Sequence, residues 1–214
     1  MKKAIKPTRW RCLCAYDGTE FNGWQKQPNR KAVQDKIDEA LAEIFGCTIR
    51  TIGAGRTDAG VHAAGQVFHF DASWNHPEDS LLQALRARLP VGISPRKVTA
   101  VSDRFHAHIS AQGKRYRYRI CPGWAMPEKD RFVHSMKGRS LNLDRMKEAA
   151  SCFLGTHDFA GFAANRGHGD KEPTVRKLWR SEWRVQGGEL HFITEAKGYL
   201  YKMVRSMTGA MIDV

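Results

Sequence analysis

Asp58 lies in the stretch GAGRTDAGVH, residues 53–62, with Gly53, Ala54, Gly55, Ala59 and Gly60 around it. A lone carboxylate among small residues can come close to a ligand and act as nucleophile or base. To stay ionised in a dry site it needs a fixed cation, and Arg56 is the local candidate. A T-D-A-G sequence also suits a turn or helix cap, so spacing alone leaves the catalytic and structural readings level. Two other chemistries fit poorly. Gly53-Ala54-Gly55 begins like a dinucleotide fingerprint, but its sixth position is Asp58, whose charge repels a pyrophosphate. A metal centre needs three converging ligands. Asp58 and His62 are four apart, and His69, His106, His108 and His157 follow no H-x-x-x-H or H-E-x-x-H pattern.

A second chemistry-bearing stretch is Lys114-Arg115-Tyr116-Arg117-Tyr118-Arg119-Ile120. As a strand it puts Tyr116, Tyr118 and Ile120 on one face and Arg115, Arg117 and Arg119 on the other. Interleaved rings and guanidinium groups suit a polynucleotide, with rings for bases and cations for phosphates. The plainer alternative is a half-buried strand with a solvated charged face. A third stretch runs from Gly198 to Arg205. Leu200, Met203 and Val204 read as core, and Arg205 follows on a helix, either reaching inward to a carboxylate or lying on the surface.

The charge balance agrees with a polyanionic partner. The chain has 214 residues with 35 Lys+Arg against 22 Asp+Glu, a formal +13. Nucleic acid is the default partner for such a surface, and simple solubility is the alternative. The excess is not a basic tail, since residues 1–107 carry 16 cations against 11 acids and residues 108–214 carry 19 against 11. Cys12, Cys14, Cys47, Cys121 and Cys152 make an odd count with no C-x-x-C, which predicts reduced thiols and a cytoplasmic setting. The basic start, MKKAIKPTRWRC, lacks the apolar segment of a signal peptide. No apolar run approaches the roughly 18 residues of a membrane span.

These residues need elements to hold them. RWRCLCAY, residues 9–16, alternates as a strand. YDGTEFNGW follows as a turn-rich loop. Val33, Ile37, Ala40, Leu41 and Ile44 form a helical stripe over 32–45, with Gly46 at the C-cap. A short strand is expected at 48–52, another at 66–71, and a helix at 80–88 stopped by Leu89-Pro90. The second half repeats the order. It has a strand at 114–121, a helical stripe of Leu143, Met146, Ala150 and Phe153 ended by Gly155, and strands near 177–184 and 189–196. Two such halves predict an α+β protein of two lobes with mainly antiparallel sheets. The boundary falls near 102–112, giving lobes 1–105 and 106–214.

GAGRTDAGVHA, with YDGTEFNGWQ before it and FHAHISAQGKRYRYRI, GTHDFAGF, PTVRKL and YLYKMVRSMTG after it, resembles the tRNA pseudouridine synthase A family. The resemblance runs in order from about residue 14 to the end, and G-R-T-D-A-G-V-H is its most specific block. It implies the pseudouridine synthase fold, two lobes flanking a basic cleft, and isomerisation of uridine to pseudouridine in the anticodon arm of tRNA. It implies no cofactor and no metal, and a homodimer with tRNA crossing between subunits. By the same resemblance Asp58 is the essential aspartate, Tyr116 stacks on the target base, and Arg205 pairs with the aspartate. Arg56 is linked to extrusion of the nucleotide, since a base inside a stem must be flipped out. Lys114, Arg115 and Arg117 then belong to the RNA-binding surface. The alternative is a silent RNA-binding module of the same fold. A metal-dependent hydrolase built on Asp58 and His62 has no ligand spacing to support it. Two departures stand out. Phe105-His106-Ala107-His108 replaces the usual F-H-A-R, removing an arginine. The sequence also stops at Val214, where the family continues, so the resemblance implies a second lobe cut short.

Overall fold

A computed structural model describes residues 7–164 and 173–214 of the chain. The basic residues 1–6, weighed above as a leader, lie outside the described residues. The chain divides into two compact units, Met1–Ala111 and Gln112–Val214. Both are α+β.

The first unit is built on a four-stranded sheet, in the order β2-β3-β1-β4. Its strands are β1 (Thr8–Tyr16), β2 (Ile52–Gly53), β3 (Ala63–Ala72) and β4 (Ile93–Val101), all antiparallel to their neighbours. The alternation of β1 buries Trp10, Cys12, Cys14 and Tyr16 and turns Arg11 and Leu13 outward. Helices α1 (Val33–Phe45) and α2 (Glu78–Arg88) add Val33, Ile37, Leu41, Leu81, Leu82 and Leu85 to the same core. The apolar spacing of α1 gives it one buried face. Asp35 accepts the Ala32 N–H at 3.1 Å to cap its start, and Gly46, at φ 68°, ends it in the left-handed conformation.

Two expectations change here. The strand expected at 48–52 shrinks to Ile52–Gly53. Thr51 is spent on α1 instead: its N–H and hydroxyl reach Asp38 at 3.3 and 2.7 Å, and its carbonyl takes the Gln34 amide at 2.8 Å. A strand at 93–101 was not legible from the sequence. Pro95 argues against one, but β4 is an edge strand, and its register shifts opposite Leu13 and Cys14 where the proline sits. Residues 102–111 also pack on this unit. Arg9 donates to the carbonyls of Asp103 and Phe105, and the Ala107 N–H donates to His69 Nδ1 at 3.1 Å.

The second unit carries a five-stranded sheet, in the order β6-β5-β9-β8-β7. Its elements are β5 (Lys114–Cys121), α3 (Pro127–Asp130), β6 (His134–Ser135), α4 (Leu143–Ser151), β7 (Gly155–Asp158), β8 (Val175–Gln186), β9 (Glu189–Ala196) and α5 (Met203–Ile212). Among the described residues only the β5–β6 pairing is parallel. Helices α4 and α5 close one core with the sheet. Met146, Ala150, Met203, Met207 and Met211 meet Ile120, Leu178, Trp183 and Phe192. The i, i+4, i+8 spacing of the three α5 methionines makes them one buried stripe. Helix α4 stops at Ser151 and does not reach Gly155. At φ +98° that glycine opens β7 instead of capping the helix.

Candidate active site

Asp58 is presented on a β-turn. The Val61 N–H donates to the Asp58 carbonyl at 3.1 Å, and Gly60 takes φ +76° at the third position, as a glycine readily does. The side chain is exposed, and its carboxylate has no hydrogen bond or ion pair to another described residue. The turn itself is held firmly. Tyr16 OH meets Thr57 Oγ1 at 2.8 Å, the Trp24 N–H donates to the Thr57 carbonyl at 3.1 Å, and the Gly60 N–H donates to the Phe21 carbonyl at 3.2 Å. At the base, Gln66 donates to the Gly55 carbonyl at 2.7 Å and the Ala54 N–H to the Val67 carbonyl at 2.7 Å.

The loop at 17–24 is the cradle, a role barely legible in its residues. Gly23 has φ +83°, and a Cβ there would lie 3.0 Å from the Asp58 carbonyl carbon and closer still to the Thr57 carbonyl oxygen. Gly18 is pressed in the same way onto the Val61 carbonyl. Gly53 must also lack a side chain, because a Cβ would stand 2.5 Å from Trp24 Nε1. Trp24 is 1 % exposed and packs on Tyr16 and Phe68 with ring centroids 6.0 and 5.8 Å away. The glycines and tryptophan of YDGTEFNGW were the available signal. They were legible as turn residues, but not as partners of a loop some 35 residues on.

Arg56 is not the cation that the sequence led us to expect beside Asp58. Its guanidinium donates to Gln25 Oε1 at 3.2 Å, and no ion pair joins the two residues. His108, where the family pattern has arginine, sets its Nδ1 3.0 Å from the Ala54 carbonyl at the foot of the same loop. Among the described residues no group of three or more His, Cys, Asp or Glu is placed to hold a metal ion.

The second unit presents Tyr116 and Arg205. Tyr116, Tyr118 and Ile120 do share one face of β5. The Tyr116 ring stands edge-on to Tyr199, with centroids 4.9 Å apart at 78°. Tyr199 OH is 3.1 Å from the hydroxyl of the fully buried Thr194, and burial pushes its phenol up in pKa. Arg205 is the third residue of α5, a helix packed against β5, and it is exposed. The opposite face of β5 is less freely basic than its sequence reads. Arg115 donates to Glu195 at 2.7 Å, and Arg119 holds Glu189 through two bonds at 2.8 and 2.9 Å. Lys114 is half-buried, which lowers its pKa. Arg117 is exposed and engages no carboxylate among the described residues. Glu195 also accepts from Arg180 at 2.8 Å and Trp179 at 3.1 Å. Gly113 leaves room for that indole, since a Cβ would meet Trp179 Cζ2 at 2.5 Å.

Comparison with known proteins agrees with this architecture. The family model described as tRNA pseudouridine synthase matches residues 13–108 and 149–214. A tRNA pseudouridine synthase A of Bacillus licheniformis is 40 % identical over 209 residues, covering 96 % of this chain and 83 % of the relative. One of Akkermansia muciniphila is 44 % identical over 209 residues, covering 95 % and 79 %. One of Geobacillus kaustophilus is 38 % identical over 210 residues, covering 96 % and 80 %. With two α+β units of mainly antiparallel sheet and the GRTDAG turn where the family model aligns, the chain belongs to the tRNA pseudouridine synthase family.

Proposed function

We propose that this chain is an isomerase that converts uridine to pseudouridine in the anticodon arm of tRNA. The observation that carries the reading is the Asp58 turn, an exposed carboxylate on a loop fixed at its base and both flanks. The reaction breaks the bond from base N1 to ribose C1′, turns the base, and joins C5 to C1′. The C5 proton leaves to solvent and N1 gains one, so atoms and charge balance without oxidant or reductant. The Asp58 carboxylate acts at the ribose, by attack on C1′ or by removal of the 2′ proton. Both roles need an ionised acid close to the sugar, and the small residues around it let an RNA backbone come near. Tyr116 stacks on the target base, and the rigid edge-on contact with Tyr199 pre-sets its ring. Arg205, exposed on α5, is the basic residue of the same family pattern and supplies a positive charge to the chemistry. Arg56, steadied by Gln25, assists extrusion of the nucleotide, a step that costs a few kcal/mol in unstacking. Arg117 and the rim of Arg115 and Lys114 contact phosphates. The same reading carries a homodimer that shares the tRNA, and a cytoplasmic setting suited to five unpaired thiols.

The test uses unmodified tRNA transcript carrying tritium at uridine C5. Wild-type protein is expected to release tritium to water, unaffected by chelator. Asp58→Asn is expected to bind the tRNA with wild-type affinity and release none. Release that persists in Asp58→Asn would refute the assignment of chemistry to this residue.

A further inference from the structure

The family model leaves residues 109–148 unmatched, and that segment contains the most exposed aromatic side chain of the second unit. Between β5 and Arg139 the chain makes a basic excursion. It carries Lys129, Arg131, Lys137 and Arg139 against Glu128 and Asp130. Trp124 is 74 % exposed there, and Met126 and Phe132 are exposed with it. One exposed apolar side chain is ordinary on a protein surface; three within nine residues of a basic segment single it out.

Trp124 is not on a loose loop. The carbonyl of its neighbour Gly123 accepts from Ser135 Oγ at 2.8 Å and from the Lys137 N–H at 3.0 Å. The Ala125 N–H on its other side donates to Ser135 Oγ at 3.2 Å. Gly138 N–H donates to Pro122 O, and Met136 N–H to Cys121 O, at 3.0 and 2.8 Å. Lys137 takes a left-handed φ of 53°, and its ammonium lies over the Trp124 ring, 5.3 Å from the centroid. On this braced backbone the ring and the cation lie side by side, which suits a group that has both a π-face and a negative charge. Lys129 and Arg139 are tied to Glu189 and Asp213, at the middle and the end of the excursion. The platform follows the far end of β5 from Tyr116, a strand length of about 17 Å away at roughly 3.3 Å per residue.

We infer that Trp124 and Lys137 form a second RNA-contact platform, on which an unpaired base stacks against the indole while Lys137 meets its phosphate. Positive charge around the ring and a polyanionic substrate favour RNA over a protein partner. The inference rests on the reading of the chain as a tRNA-binding enzyme. It assigns a contact at a distance from the target uridine, so it concerns affinity for a folded tRNA and not the isomerisation step.

Filter binding of unmodified tRNA transcript tests it, with Trp124→Ala, Trp124→Phe and Lys137→Gln each placed in the Asp58→Asn protein. Binding is then read without turnover, so a failure of the isomerase assignment leaves this result intact. Trp124→Ala is expected to bind about tenfold more weakly, the loss of one base–aromatic stack. Trp124→Phe should recover most of that. Lys137→Gln should weaken binding and reduce the slope of log affinity against log salt by about one. Unchanged thermal midpoints would show that the variants fold, and the phenylalanine variant keeps the test open should the alanine variant fold poorly. Wild-type affinity and salt slope in all three variants would overturn the inference. So would a change of oligomeric state in sedimentation with no change in tRNA affinity, which would mark the ring as a protein contact instead.

Discussion

Gly23→Ala should disable the enzyme from a residue that bears no functional group. Two physical terms act. At φ +83° a side chain adopts the left-handed conformation at about 1–2 kcal/mol. The new methyl would also stand 3.0 Å from the Asp58 carbonyl carbon and 3.2 Å from Ala59 N, and nearer still to the Thr57 carbonyl oxygen, where ordinary contact is 3.4–4 Å. All three atoms are backbone of the GRTDAG turn, so the turn must shift by about 1 Å, with an overpacking penalty of about 1–3 kcal/mol. The sum is about 2–5 kcal/mol of stability. A catalytic group displaced by about 1 Å loses about 100-fold in rate. Gly46→Ala is the matched control. It has a similar φ of +68°, nothing lies within 4 Å of its Cβ, and it is remote in sequence from the turn. It should lose only the conformational term and keep full turnover. Urea unfolding and tritium release on both variants measure the two terms. A Gly23→Ala protein with the turnover and stability of the Gly46→Ala control would refute the claim that this contact positions Asp58.

Further tests address charge and packing. Arg180 above all, then Trp179 and Arg115, hold the Glu195 carboxyl down at about 2 against an opposing desolvation. A depressed carboxylate stabilises the fold above its unfolded pKa of about 4.3, and the effect fades as pH falls toward 2. Glu195→Gln should therefore lower the thermal midpoint at pH 7 and converge with wild type near pH 2–3; a constant gap would contradict the assignment. Burial, with Arg9 and His106 nearby, lowers the His69 pKa. The unfolded chain then binds the proton first, so stability should be full above pH of about 6.5 and fall below it, and His69→Gln should flatten that limb in a pH series of midpoints. Tyr199→Phe strands the buried Thr194 hydroxyl and should cost about 1–3 kcal/mol in urea unfolding, whereas a double Tyr199→Phe/Thr194→Val change should recover part of it. On the proposed stacking role of its ring, Tyr116→Phe should keep most turnover and Tyr116→Ala lose it; equal losses would point to the hydroxyl.

What the residues determined alone were the elements with clean local periodicity. The alternation in 9–16 and 114–121, the apolar stripe of 33–45 and the left-handed Gly46 are all set by contacts within a few residues, and the structure follows them. The family was legible as well, because Asp58, Tyr116 and Arg205 lie in distinctive blocks. Tertiary structure decided everything that depends on residues far apart. Pro95 is admitted to a strand only because β4 is an edge, and Thr51 leaves its expected strand because Asp38 and Gln34 reach it from α1. Arg115 reads as a free cation until β9 brings Glu195 alongside, and Arg56 reads as a partner of Asp58 until Gln25 takes it. Gly18 and Gly23 are turn residues on paper. They prove to be close-contact residues because the loop at 17–24 lies directly on the turn at 57–61. Periodicity records which face of an element is buried; it carries no information on which distant backbone will press against it.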